Sequence, residues 1–293
     1  MKNICIIHNP ISGSRCCNTD IEALTSLLKR AGHNVSRMEI SSFEQTKLYV
    51  ERIIAEGCEL IIAAGGDGTV RSIAQFCTET SLPVLIYPSG TENLLAGVFN
   101  IKREHKSIND IIDQWKIQKI DVGYINDEHF FLSIASIGVD SRVVGHINQN
   151  RHGHINKFQY IWPTVKAFFN HSHPNMEITI DGKKVHDRPA MVFVANVPRY
   201  GGGFKILPQA DYTDGLLDVA IYKCCNILQL VYLFALTLLT LTKHTKLICR
   251  FKCSKIEINS DNCNFKSQID GDPGPGLPLQ IRVAPAKLSL LVP

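Results

Sequence analysis

Five apolar residues, Leu60-Ile61-Ile62-Ala63-Ala64, run without interruption into Gly65-Gly66-Asp67-Gly68-Thr69. A continuous apolar run, rather than an alternating one, is what a strand buried on both faces needs, and such strands belong to parallel sheets covered by helices. The same texture recurs in Asn3–His8 (NICIIH), in residues 35–40 and in residues 84–87. Between these runs the apolar period becomes helical. Ile21, Leu24, Leu27 and Leu28 fall on one face of residues 20–30, and Phe43, Leu48, Val50, Ile53 and Ile54 mark Phe43–Ala55. Strand and helix alternating in this way predict an α/β domain, a parallel sheet between two helical layers.

Beyond about residue 120 the pattern changes. Strand-like runs dominate, at residues 130–134, 176–180, 190–195, 217–222, 247–251, 255–258 and 279–283, with Asp181-Gly182 and Asp270-Gly271 as turn signals. Two helical stretches, 158–169 and 228–241, interrupt them. The expectation is a mostly antiparallel β-sandwich domain with inserted helices, and a division into residues 1–120 and 121–293. A length of 293 residues is enough for two such domains. Residues 227–242 carry no charge, yet they fall short of the ~20 apolar residues of a membrane span. They read as a core-facing helix that leaves room for peripheral membrane contact.

Composition excludes disordered and fibrous classes, with 45% hydrophobic and 20% charged residues. The net charge of +4 gives little reason to expect nucleic acid. Its distribution is more informative. Residues 141–176 hold Arg142, Arg151, Lys157 and Lys166 with no acid, and residues 219–256 hold Lys223, Lys243, Lys246, Arg250, Lys252 and Lys255, again with no acid. Blocks of one sign favour an anionic surface or ligand. The ten cysteines form no C-x-x-C pair, which fits a reduced, cytoplasmic chain with buried thiols. Cys249 and Cys253 have no evident partner for a metal site. The pairs His152, His154 and His171, His173 read as exposed loop residues.

Three loops carry the chemistry. Gly65-Gly66-Asp67-Gly68-Thr69 follows one buried strand and opens a helix, so glycines can bring backbone N–H groups close to an anion at a helix start. It is neither a Walker A loop nor the G-x-G-x-x-G fingerprint. Pro88-Ser89-Gly90-Thr91-Glu92-Asn93 follows another strand, and Asn9-Pro10-Ile11-Ser12-Gly13-Ser14 a third. Converging at the carboxyl ends of parallel strands, they describe a nucleotide cleft.

N-P-x-S-G, then G-G-D-G-T, then P-x-G-T-x-N resembles the catalytic domain of the diacylglycerol kinase family, shared with sphingosine kinases and bacterial lipid kinases. Gly201-Gly202-Gly203 with Pro208, the run from Asp211 to Val219 (DYTDGLLDV), and Gln268-Ile269-Asp270-Gly271-Asp272 resemble that family's further motifs in the same order. The resemblance implies ATP phosphates on Gly65, Gly66, Asp67, Gly68 and Thr69, with Thr91, Asn9 and Ser41 or Ser42 as further nucleotide contacts. It implies Mg²⁺ at the Asp214 carboxylate and the backbone carbonyls of Asp211 and Leu216. The general base falls on Asp272, where the family has Glu, with Asp67 as a rival and Asp270 as a neighbouring acid. The residues alone read Asp270-Gly271 as a hairpin turn.

The resulting expectation is an ATP- and Mg²⁺-dependent lipid kinase that phosphorylates a diacylglycerol-like or sphingoid-like hydroxyl. The lipid substrate would be met at a membrane surface through peripheral contact, without nucleic acid, and a homodimer is compatible with this. An NAD kinase shares G-G-D-G-T, but the D-G-L-L-D-V run and the G-T-E-N loop separate this chain from it. Arg71-Ser72 in place of the family's Asn-Glu, together with Asp272, motivate a third reading, a nucleotide-binding regulator that has lost catalysis.

Overall fold

In the computed structural model, the described residues are 1–10, 18–138, 141, 176–186, 189–201, 205–223, 226–239, 241–242, 245–260 and 265–293. They divide into two compact units, residues 1–120 with 286–293, and residues 121–285. Residues 11–14, 158–169, 202–203 and the four paired histidines, all singled out above, lie outside the described residues.

In the first unit the continuous apolar runs are strands. β1 (Asn3–His8), β2 (Asn34–Glu39), β3 (Leu60–Gly65) and β4 (Val84–Pro88) form a parallel sheet in the order β2-β1-β3-β4, and the end of the last strand adds Leu290 beside Val84. Every residue of β3 and β4 is buried, as their lack of alternation requires. Helices α1 (Asn18–Arg30), α2 (Phe43–Ala55), α3 (Asp67–Gln75), α4 (Leu94–Val98) and α5 (His105–Gln114) connect the strands. α1 buries Ile21, Leu24 and Leu28, and α2 buries Val50 and Ile53, the apolar stripes expected from their period. Phe43 and Leu48, counted in that stripe, are exposed instead.

The order β2-β1-β3-β4 has a consequence for function. From β1 the chain moves one way to β2, and from there it crosses to the other side to make β3. The strand order therefore reverses between β1 and β3. A crevice opens outside the carboxyl ends of strands at such a switch point.

β5 (Lys116–Ile125) leads out of the first unit into the second. There follow β6 (His129–Phe131), β7 (Ile134–Gly138), β8 (Met176–Ile180), β9 (Lys183–His186), β10 (Met191–Ala195), β11 (Leu217–Tyr222), α6 (Ile227–Leu238), β12 (Ile248–Cys253), β13 (Lys255–Ser260), β14 (Lys266–Ile269), β15 (Asp272–Gly276) and β16 (Leu279–Val292). One antiparallel sheet runs β12-β11-β10-β7-β14-β15, and β16, β13, β8 and β9 pair antiparallel in that order, with β5 pairing β6. Ile137, Val192, Val194, Val219 and Ile221 pack with Ile178, Ile256, Ile258 and Ile281 in one buried core. The α/β domain followed by an antiparallel β domain is the architecture the sequence patterns predict.

Both Asp-Gly turns are hairpins. Asp181 and Gly182, with φ of 44° and 80°, join β8 to β9, and Asp270 and Gly271, with φ of 49° and 90°, join β14 to β15. Two consecutive positive φ values are what a two-residue turn of this hand demands. The predicted strand at 130–134 is in fact two strands, because the N–H groups of Leu132, Ser133 and Ile134 turn to the Asp270 carboxylate rather than to one continuous ladder.

Candidate active site

The carboxyl edge of the first sheet is set by register. Gly65 pairs with Pro88 and Ala64 with His8, so β1, β3 and β4 end together. Gly65 and Gly66 then carry the chain straight into α3, whose first residue is Asp67. Ser89 N–H donates to Gly65 O at 3.1 Å, and the Asn9 N–H donates to Ala64 O at 3.3 Å.

Two of these loops meet at their backbones. A Cβ placed on Gly90 would overlap the Gly66 Cα and crowd the Gly66 nitrogen, so Gly90 is held to glycine by close approach, while a Cβ on Gly66 would stand 3.3 Å from the Gly90 Cα. Asn93 closes the second loop on itself. Its Oδ1 accepts from Gly90 N–H at 2.8 Å and its Nδ2 donates to Gly90 O at 2.9 Å. Asp67 fastens one loop to the other, accepting from Leu95 N–H at 3.3 Å. Gly66 caps α3 without a side-chain hydrogen bond, and Gly68 in its first turn is exposed. Thr69 is buried under Gly65, and Ser89 is buried with an unpartnered Oγ. Thr91 is half-buried in the same loop as Gly90.

Ser41 and Ser42 do different work. Ser42 Oγ accepts from Gln45 N–H as the cap of α2, and Ser41 donates through both N–H and Oγ to Gln45 Oε1 at 2.9 and 3.1 Å. They stand at the end of β2, away from the switch point.

The start of α1 is fixed by Asp20. Its carboxylate accepts from Tyr87 Oη at 2.6 Å and from Arg103 at 2.7 Å, and lies 2.9 Å from His105 Nε2. Burial pushes the Asp20 carboxyl up, but the hydrogen bonds from Tyr87, Arg103 and His105 outweigh it and hold it below the usual carboxylate range. Nothing in the sequence pattern pointed to this cluster.

In the second unit the pairings Ala195 with Asp218, Ile134 with Ala195 and Ala135 with Ile269 bring four polar features to one end of the β12–β15 sheet. These are the turn before β11, Asn196 after β10, the link between β6 and β7, and the Asp270-Gly271 turn. Asp270 Oδ1 accepts from Ser133 and Ile134 N–H and Oδ2 from Leu132 N–H, each at 2.9 Å. Gln268 Oε1 accepts from Gly271 N–H at 2.8 Å. Asp272 is exposed at the start of β15.

Asn196 is fully buried, and its Nδ2 donates to the carbonyls of Asp121 and Leu132 at 2.8 and 2.9 Å. Asp121, also buried, accepts from Gly215 N–H at 2.7 Å and so holds the Asp214-Gly215 turn. Both residues were missed in the sequence. The available signal was a polar residue closing an apolar strand, as in Met191–Ala195 followed by Asn196.

Of the groups expected to hold Mg²⁺, the Asp214 carboxylate is already engaged, and Asp211, expected through its backbone carbonyl, has its side chain occupied as well. Asp211 Oδ1 accepts from the Thr213 N–H and hydroxyl at 2.9 and 2.7 Å. Asp214 Oδ1 accepts from Leu216 N–H at 3.0 Å, and Oδ2 accepts from the Lys252 ammonium. The same ammonium lies 3.6 Å from Asp218 Oδ2, Lys252 being the cross-strand partner of Asp218. The Asp214 carboxylate is therefore shared between Leu216 N–H and a lysine cation. No group of three or more His, Cys, Asp or Glu suited to a metal occurs among the described residues. The described cysteines are unbridged, and burial pushes Cys5 up to about 11 and Cys77 and Cys253 to about 12, which keeps them as thiols.

A parallel α/β domain, in which the loops after β3 and β4 meet through Gly66 and Gly90, is followed by an antiparallel β domain. Two family models divide the chain between them. The diacylglycerol kinase catalytic domain matches residues 3–125, and the YegS C-terminal NAD kinase beta sandwich-like domain matches residues 133–292. The chain belongs to the diacylglycerol kinase family. It is 28% identical to a diacylglycerol kinase of Mycobacterium tuberculosis over 97% of this chain and 93% of that protein. It is 26% identical to one of Staphylococcus aureus over 94% and 88%. A crystal structure of a diacylglycerol kinase from Bacillus anthracis shares the fold, with a TM-score of 0.78, 19% identity, and coverage of 100% of this chain and 97% of that one.

Proposed function

We propose that this chain is a kinase that moves the γ-phosphoryl group of ATP, carried with Mg²⁺ on its phosphates, to the hydroxyl of a diacylglycerol-like or sphingoid-like lipid. The observation that carries the reading is the backbone contact of Gly66 with Gly90, between the loops after β3 and β4 on one side of the reversal of strand order and directly before the N-terminus of α3. Phosphoryl transfer is mainly positioning and neutralisation of charge, and N–H groups fixed by two glycine loops supply both.

In this reading the N–H groups of Gly65, Gly66, Asp67, Gly68 and Thr69 hold the phosphates, with Thr91 and Asn9 beside them. Ser41 is the more remote contact, since its side chain is occupied with the start of α2. Asp270 maintains the hairpin, and Asp272 takes the proton. The acceptor O–H gives its proton to the Asp272 carboxylate as the new O–P bond forms, and the bond from the γ-phosphorus to the oxygen of ADP breaks. Asp67, committed in part to Leu95 N–H, orients the loop and is the second candidate for that proton. Mg²⁺ enters as part of the nucleotide substrate, neutralising phosphate charge.

Transfer of radiolabelled γ-phosphate from ATP to a panel of lipids tests the reading. Labelled lipid is expected, and Asp272→Asn should lower turnover by about 10²-fold or more with an unchanged thermal midpoint, because the residue is exposed. Labelled NADP from NAD, or ATP that is bound and never turned over with any lipid, would replace this reading with one of its two rivals.

A further inference from the structure

α6 is apolar on both sides, and only one side is used inward. Leu230 and Leu233 are buried against Met191, Phe193, Tyr222 and Ile248, with Phe234 packed beside them. On the opposite side Leu228 is 78%, Val231 54%, Tyr232 50% and Leu239 63% exposed, and Ala235 between them is exposed as well. These positions are spaced i, i+3, i+4, i+7 and i+11, so they form a single stripe along the helix. Leu241, just beyond the helix, extends the exposed apolar surface at 47%. Globular helices normally turn a polar face to water.

In sequence, the charge flanking the stripe has one sign. No Asp or Glu occurs from residue 219 to residue 256. Lys252 and Lys255 of this stretch are paired with Asp214 and Glu257, which lie outside it in sequence. Lys223 precedes the helix, and its N–H donates to Leu247 O at 2.9 Å. That bond brings exposed Lys246 close to Lys223, which precedes α6 in sequence. Lys243 follows the helix in sequence.

We propose that the outer stripe of α6 is a docking surface for an anionic bilayer, lying in the interface with its axis along the membrane. A helix of 12 residues is about 18 Å long, too short to cross, and no helix among the described residues meets the length and hydropathy of a span. Leucine, valine and a tyrosine facing outward between basic flanks are the composition of an interfacial helix, the apolar side entering the acyl boundary while lysines meet anionic head groups. A second copy of the chain fits less well. The stripe's five exposed side chains on one short helix fall short of the roughly 20–30 residues a side of a stable interface. This inference deepens the lipid kinase reading and rests on it for its purpose, since a lipid acceptor resides in the surface to which the helix binds.

Flotation of the full chain with phosphatidylcholine vesicles containing about one quarter phosphatidylglycerol tests it. Wild-type protein is expected to float, less so as salt rises. The triple variant Leu228→Ser, Val231→Ser, Leu239→Ser should bind at least about tenfold more weakly, with an unchanged thermal midpoint. It should also phosphorylate a short-chain diacylglycerol dissolved as monomer as fast as wild type, while slowing on the same acceptor in vesicles. Lys246→Glu keeps the stripe and reads the charge by itself. Binding to the anionic vesicles should fall about fivefold or more, and binding to neutral vesicles should not change. Wild type that stays unbound, a triple variant that floats like wild type, or a wild-type dimer that the triple variant dissociates would overturn the docking surface. Failure to phosphorylate the soluble acceptor, with vesicle binding intact, would overturn the kinase reading and leave the surface standing.

Discussion

The two units build their polar edges by opposite means. In the first, backbone meets backbone. Gly66 touches Gly90, Asn93 folds onto Gly90, and α3 starts directly after Gly66 with Gly68 exposed in its first turn. In the second, carboxylates consume N–H groups. Asp270 takes three, Asp121 takes that of Gly215, and Asp211 and Asp214 take those of Thr213 and Leu216. An edge where glycine loops run into a helix start suits an anion, whereas an edge whose acids are spent internally holds its own turns in place. The difference separates the unit that binds phosphate in our reading from the unit that presents the acid for proton transfer.

Breaking the backbone contact should have the largest effect. Gly90→Ala puts a methyl group onto the Gly66 Cα, which is backbone and cannot move aside as a side-chain end could, and also crowds Asn93 Oδ1. One loop must shift, and a displacement near 1 Å at a positioning site costs about 10²-fold. Titration of nucleotide binding in the variant should show an affinity loss of that order. A variant that binds ATP like wild type would mean that the contact does not shape the phosphate site.

Breaking the carboxylate edge should act on stability instead. Asp270→Ala removes the acceptor of three N–H groups at once, and hydrogen bonds to a charged group contribute about 1.5–3 kcal/mol each before water replaces them. A net loss of about 3 kcal/mol is expected in chemical denaturation. Asp270→Asn, which keeps one acceptor oxygen, should recover part of it. Equal losses in both variants would show that the turn depends on shape rather than on acceptors.

The first edge was legible in the sequence because its chemistry lies in contiguous residues. Leu60–Ala64 specifies a doubly buried strand, and Gly65 to Thr69 follow it directly, so strand, loop and helix start are read together. The Asp-Gly turns were legible for the same local reason. The second edge was not. Asp270 binds residues 132–134, and Asn196 binds Asp121, contacts separated by scores of residues that leave no local period. Residues 130–134 were read as one strand because their apolar pattern is continuous, while the break comes from a distant carboxylate. β14 and β15 escaped notice because Pro273-Gly274-Pro275-Gly276 has no strand-like composition and is ordered by its pairing with Lys266–Ile269. The stripe on α6 was partly legible. Its lack of charge was plain, but which face is exposed depends on the sheet it packs against.

Asp20 tests the comparison more finely, because it is a carboxylate of the first unit clamped by side chains rather than by backbone. Its folded pKa is depressed, so its contribution is complete above the unfolded value near 3.9 and is lost as pH falls through the lower folded value. Unfolding free energy should therefore drop below about pH 4. Asp20→Asn should remove this segment of the pH profile and cost about 2 kcal/mol at neutral pH, through weakened bonds from Tyr87 and Arg103. An unchanged pH profile in the variant would assign the acid limb to other carboxylates.

The smallest effect concerns Lys252, where the carboxylate edge carries its own cation. Burial pushes the Asp218 carboxyl up and the Lys252 ammonium draws it back, while the same ammonium rests on Asp214. Because Lys252 is partly exposed, the pair is screened, and Lys252→Ala should cost only about 1 kcal/mol. The informative reading is the response to Mg²⁺ without nucleotide. In wild type the ammonium already neutralises Asp214, so the thermal midpoint should be the same in Mg²⁺ and in EDTA. In Lys252→Ala the carboxylates of Asp214 and Asp218 face each other without a cation, and Mg²⁺ should raise the midpoint by mass action. A wild-type midpoint that falls in EDTA would place a divalent ion at this turn after all, and would make the two edges more alike than their hydrogen bonds indicate.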